Sequence, residues 1–139
     1  MHNRSAKHKK APYNKGGVAI LVKDSLLDIF HVKVVDMAID GIIGIELTSK
    51  SSEFTIVLFC CYLPPENSVW GRDPTTFFSH LIAQTYLHQH SDIFLICGDL
   101  NGRIGNVDDL ADSIDEICKR RVIDTIKGGH GDAIIDYAK

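Results

Sequence analysis

In Asp92-Ile93-Phe94-Leu95-Ile96-Cys97-Gly98-Asp99-Leu100-Asn101-Gly102-Arg103-Ile104-Gly105, an apolar run stops abruptly at a polar turn. Ile93 to Cys97 is continuously apolar, the pattern of a strand covered on both faces. Gly98, Asp99 and Asn101 follow at its carboxyl end, then Gly102 and Gly105. Open α/β sheets place their ligand sites beyond the carboxyl ends of strands. An acid and an amide spaced i, i+2 on extended backbone point to one side, so Asp99 and Asn101 are expected to address one ligand together.

Immediately upstream lies a helix signal. Asp73 is an N-cap residue and Pro74 suits the first helical position. Phe77, Phe78, Leu81, Ile82, Thr85 and Tyr86 then recur at helical spacing and give an apolar face. Before this helix, Phe54 to Leu63 is rich in β-branched and aromatic residues and is stopped by Pro64-Pro65, which predicts a strand. Ile42 to Leu47 predicts another strand, in which Ile43, Ile45 and Leu47 alternate with Gly44 and Glu46 as on a half-exposed face. Leu26 to Val35 predicts a third. Val18 to Val22, opened by Gly16-Gly17, predicts a fourth, with no strand before it to pair with. Downstream, the chain is acidic from Asp108 to Glu116, ambiguous over Arg120 to Ile126, and turns at Lys127 to Asp132. Asp132 is expected to cap a last helix through Ala133 to Ala138. Successive strands followed by a strand-helix-strand unit predict a mixed α/β sheet with helix packed on it.

The chain of 139 residues is long enough for one domain with a core of its own. A hydrophobic content of 45% and a charged content of 24% are those of an ordinary globular protein. The net charge of -3 argues against a generic nucleic-acid binder. Charge is uneven, since residues 1–23 carry Arg4, Lys7, Lys9, Lys10, Lys15 and Lys23 and no acid. Residues 1–15 are expected to form a basic, disordered arm and residues 16–139 the domain. No run is apolar and long enough to span a membrane, and no secretory signal opens the chain. Cys60, Cys61, Cys97 and Cys118 form no Cys-x-x-Cys pair and are expected to be reduced, buried residues of an intracellular protein.

Two strand ends carry the candidate chemistry. Tyr62-Leu63-Pro64-Pro65 and Gly98-Asp99-Leu100-Asn101 each close an apolar strand. If those strands are neighbours, Tyr62, Asp99 and Asn101 meet at one sheet edge. A carboxylate that accepts a proton, an amide that holds a phosphate oxygen and a phenol that donates to one suit phosphodiester hydrolysis. The plainer reading of Asp99 and Asn101 is an Asx turn. Elsewhere the plainer reading is preferred. His130 belongs to a turn leading into a helix, not to a phosphate loop. His88 and His90 share no helical face, Glu46 sits on an exposed strand position, and the run from Asp108 to Glu116 lacks calcium-loop spacing. Trp70 and Arg72 are suited either to nucleic-acid contact or to anchoring their loop.

Taken together, Gly16-Gly17-Val18-Ala19-Ile20, Tyr62-Leu63-Pro64-Pro65-Glu66-Asn67-Ser68, Trp70-Gly71-Arg72-Asp73, Gly98-Asp99-Leu100-Asn101-Gly102-Arg103-Ile104-Gly105, Arg121-Val122-Ile123-Asp124, His130-Gly131 and Ile135-Asp136-Tyr137 resemble the endonuclease/exonuclease/phosphatase family. The resemblance is greatest to the endonuclease domain of LINE-type (non-LTR) retrotransposons and runs from about Gly16 to the end. It implies a four-layer αββα sandwich, here partial, with a mixed, largely antiparallel sheet. It implies a magnesium ion (Mg2+), with Asp99 orienting or deprotonating water, or touching the metal. Asn101 would hold the scissile phosphate and Tyr62 would hydrogen-bond to it. Arg103, Trp70 and Arg72 are the candidate substrate-binding residues. The implied partners of the intact parent are DNA and the reverse transcriptase domain of the same polyprotein, and the implied compartment is the nucleus.

The departures are equally specific. The family's metal-binding Glu would lie before Gly16, where residues 1–15 contain no acid, and its Ser-Asp-His motif would lie beyond Lys139. Pro65 stands where many relatives have Asn. The chain is therefore expected to be a fragment cut at both ends and inactive alone. Three functions stay open: part of a nicking endonuclease, a catalytically dead remnant or domesticated binding module, and another phosphodiesterase branch of the family.

Overall fold

The computed structural model describes residues 2–3, 17–68, 73–107 and 121–138. In chain order its elements are β1 (His2–Asn3), β2 (Val18–Ala19), α1 (Asp24–Leu27), β3 (Phe30–Asp36), β4 (Ile42–Ser49), β5 (Thr55–Tyr62), α2 (Pro74–Leu87), β6 (Ile93–Asp99) and α3 (Gly129–Ala138). The protein is mixed α/β. One sheet runs in the order β3-β4-β5-β6, antiparallel as far as β5 and parallel between β5 and β6. β1 and β2 form a separate antiparallel pair. The chain divides into two compact units, Met1–Leu63 with Ala83–Asp99, and Pro64–Ile82 with Leu100–Lys139. No helix among the described residues is long and apolar enough to cross a membrane.

In the first unit, register sorts the side chains onto two faces. Ile43, Cys60 and Cys97 lie side by side across β4, β5 and β6, as do Ile45, Leu58 and Leu95, and then Leu47, Ile56 and Ile93. Residues so paired share a face. On this face Ile43, Ile45 and Leu47 are buried with Val18, and Ile20, Val22, Ile56, Leu58 and Cys60 pack around them half-buried. The cover thins toward β6, where Leu95 is 49% exposed. The opposite face buries Ile42, Val57, Phe59 and Cys61. Phe59 is its centre: its ring lies 5.5 Å from that of Phe94 and 6.2 Å from that of His88. Each large apolar side chain so buried contributes about 1.5–3 kcal/mol.

Several expectations need correction. β6 is not covered on both faces: it is an edge strand, and Ile93, Leu95 and Cys97 are exposed on the face that Val18, Ile20 and Val22 cover only farther in. β4 is not half-exposed, because it is an inner strand and its Gly44 is buried against the Phe59 ring. The strand expected over Val18 to Val22 is only Val18–Ala19, and it does have a partner, since His2–Asn3 pairs with it. The rest of the arm lies outside the described residues. Leu26 and Leu27 are helical: the amide of Leu26 bonds to the Lys23 carbonyl at 2.9 Å and that of Ile29 to the Leu26 carbonyl at 3.1 Å. Leucine favours helix, and the β-branched residues begin only at Ile29. Residues 121–126 have no regular structure.

α2 begins as expected. The Asp73 carboxylate accepts from the Thr75 and Thr76 amides at 3.1 Å and from the Thr76 hydroxyl at 2.7 Å. These bonds, the Thr76 hydroxyl foremost, hold the Asp73 carboxyl below its ordinary range. Only part of the expected apolar face is buried: Phe77, Phe78 and Leu81 are inside, whereas Ile82 and Tyr86 are exposed.

Candidate active site at the ends of two parallel strands

Tyr62 and Asp99 are register partners at the carboxyl ends of β5 and β6. The ladder that pairs them is fastened at both ends. At its start, the Asp92 carboxylate accepts from the Thr55 amide at 2.7 Å and the Thr55 hydroxyl at 3.2 Å. At its finish, the Leu63 amide donates to the Asp99 carbonyl at 3.0 Å. A slip of one residue would turn Phe59 out of the core, so burial and these hydrogen bonds select the same register. Tyr62 is half-buried and Asp99 exposed, a placement in which the acid meets solvent beside the phenol.

Gly98 sets the approach of the two strands. Its φ is 137°, and a Cβ there would lie 1.8 Å from the Cys61 carbonyl oxygen. Only glycine fits a backbone drawn this close, and Asp99 is the next residue.

The expectation that Asp99 and Asn101 share a side by i, i+2 alternation does not hold. β6 ends at Asp99, and Asn101 takes the left-handed conformation at φ 46°. Asparagine tolerates that region better than most residues, and strand alternation has no meaning beyond Asp99. Tyr62 and Asp99 belong to the first unit and Asn101 to the second.

Within the second unit, the loop after Asn101 is built onto the start of α3. The Gly128 amide donates to the Arg103 carbonyl at 2.9 Å, and Ile104 bridges to Lys127. A Cβ on Gly131 would lie 2.0 Å from the Arg103 carbonyl oxygen, which accounts for a glycine inside a helix. Arg103 Nε lies 3.5 Å from Asp124 Oδ2, and both side chains are more than half exposed, so the pair adds little stability. Trp70 and Arg72 lie outside the described residues, as do Cys118 and the acidic run from Asp108 to Glu116.

Glu66 was not singled out by sequence reasoning. α3 starts at Gly129, before Asp132, so Asp132 falls within the first turn and does not cap it. Instead Glu66 Oε1 accepts from the His130 amide at 2.5 Å. The carboxylate takes a helix N-terminal donor at the end of the dipole that favours negative charge. His130 is 2% exposed and lies within the first turn of α3, not in a turn leading to it as expected. The only signal in the sequence was a helix beginning in Gly-Gly-His-Gly with no acceptor of its own just before it. Glu66→Ala is expected to cost about 0.5–2 kcal/mol, the range for losing a helix N-terminal cap, read as a lower urea midpoint with an unchanged m-value.

Among the described residues, no three His, Cys, Asp or Glu side chains converge to hold a metal ion. Comparison with protein-family models, curated proteins and solved structures finds no match.

Proposed function

We propose that the chain is part of a phosphodiesterase domain of the kind that nicks DNA in non-LTR retrotransposons, within a four-layer αββα sandwich. The observation that carries this reading is the pairing of Tyr62 with Asp99 at the carboxyl ends of adjacent parallel strands, where α/β sheets hold ligands. The exposed Asp99 carboxylate accepts a proton from the attacking water, and the half-buried Tyr62 hydroxyl donates to a phosphate oxygen. The roles of Asn101 and Arg103 rest on the family resemblance alone, as do those of Trp70 and Arg72. So do DNA and the polymerase domain as partners, and the nucleus as the compartment. Magnesium is the cation the resemblance implies. Asp99 offers one carboxylate, and magnesium, which keeps several of its waters, is commonly held by one or two.

The test is nicking of supercoiled DNA in magnesium buffer by the chain with the family's missing end segments restored from a related domain. Asp99→Ala is expected to slow nicking by roughly 10²-fold or more, the scale of general base catalysis. Undiminished nicking would remove Asp99 from the mechanism. A second reading is a binding module of the same fold without turnover. It predicts DNA binding with no nicking in either protein.

A further inference from the structure

Two of the cysteines are placed differently from the buried thiols the sequence suggested. Cys60 and Cys97 are register partners on β5 and β6, one step along the same face from Tyr62 and Asp99. Cys97 is exposed and Cys60 half-buried, while Cys61 faces the other side and is 2% exposed. All three are free thiols. Adjacent strands run about 4.8 Å apart, inside the Cα separation of about 4.4–6.8 Å that a disulfide spans. Both partners sit on regular strands whose register is fastened at Thr55–Asp92 and Leu63–Asp99, so the two sulfurs stay opposed. No other described pair of cysteines has this arrangement: Cys60 and Cys61 are sequence neighbours on opposite faces.

We propose that Cys60 and Cys97 form a cross-strand dithiol that low-molecular-weight disulfides such as oxidised glutathione convert to a disulfide. The exposed Cys97 enters the exchange first, as the nucleophile. Its thiolate displaces one glutathione thiolate from the S–S bond and becomes a mixed disulfide, having lost its proton to solvent. The Cys60 thiolate then attacks the Cys97 sulfur and expels the second glutathione thiolate. Two protein thiols and one oxidised glutathione give one protein disulfide and two reduced glutathiones. Burial, and then the neighbouring Cys97, push the Cys60 thiol above its ordinary value, so closure quickens with rising pH. The proposal does not depend on the phosphodiesterase reading.

The experiment treats the full chain with oxidised glutathione, quenches with iodoacetamide and maps tryptic peptides without reduction. Residues 51–72 carry Cys60 and Cys61, and residues 73–103 carry Cys97. The expected product joins these two peptides, is reversed by dithiothreitol and persists in Cys61→Ser. In Cys60→Ser the link is abolished and Cys97 carries glutathione instead. A wild-type chain that stops at glutathionylated Cys97, or a link that survives Cys60→Ser, would overturn the proposal.

Discussion

Gly98→Ala is expected to cost about 3 kcal/mol or more of folding stability, the largest loss from any single added methyl group in the first unit. Two terms add. The backbone at φ 137° is a region that side chains other than glycine's avoid, worth roughly 1–3 kcal/mol of strain. The new Cβ would also stand 1.8 Å from the Cys61 carbonyl oxygen. That neighbour is backbone in the middle of a sheet, so it cannot rotate away as a side-chain tip could. Relief requires β5 and β6 to part where Tyr62 and Asp99 pair. Urea unfolding checks the size of the effect. Hydrogen exchange checks its place: the Leu63 amide, which bonds to the Asp99 carbonyl at 3.0 Å, should lose protection before the amides of β4. Equal stability of the alanine variant would mean that the strands do not approach as closely as described.

Phe59→Ala is expected to cost about 3–5 kcal/mol, the range for removing a large aromatic from a core. Phe59 is fully buried, on an inner strand, over Gly44 and against Phe94 and His88. The position beneath it on β4 is a glycine, so β4 offers no side chain there to fill the space, and the nearest other one is Val35. Against a usual total of about 5–15 kcal/mol, such a loss brings the fold close to its limit. Phe59→Leu, which keeps most of the volume, should recover more than half of the midpoint shift. A loss under about 1 kcal/mol in Phe59→Ala would remove Phe59 from the core's centre.

What the sequence showed of this fold was what local chemistry determines. The Asp73-Pro74 start of α2 was legible because the capping group and the capped amides are neighbours in the chain. β5 was legible because β-branched and aromatic residues dominate it and Pro64-Pro65 ends it. The features that were not legible depend on distant partners. The exposure of Leu95 and Cys97 follows from β6 lying at the sheet edge, and an apolar run reads the same at an edge as at a centre. The Glu66 cap of α3 joins residues far apart in sequence. Gly44 looked like a solvent position because alternation gives which residues share a face and not what covers that face.

The candidate site divides in the same way. Tyr62 and Asp99 were picked as residues at strand ends, and the parallel register that makes them neighbours follows from the strand-helix-strand order. Asn101 was tied to Asp99 by an alternation that stops one residue too soon, since the chain has already left the strand.

The most direct test of the central claim is a double-mutant cycle on Tyr62 and Asp99 in the chain with its missing end segments restored, with nicking of supercoiled DNA in magnesium buffer as the readout. Tyr62→Phe and Asp99→Asn keep the shape of each side chain and remove its proton chemistry. If the paired residues act as one unit, each single variant slows nicking, and the double variant is little slower than the weaker single one, because losses within a catalytic unit do not add. Nicking that is undiminished in the single variants, losses that multiply independently, or a wild-type domain with restored ends that does not nick at all would contradict the claim.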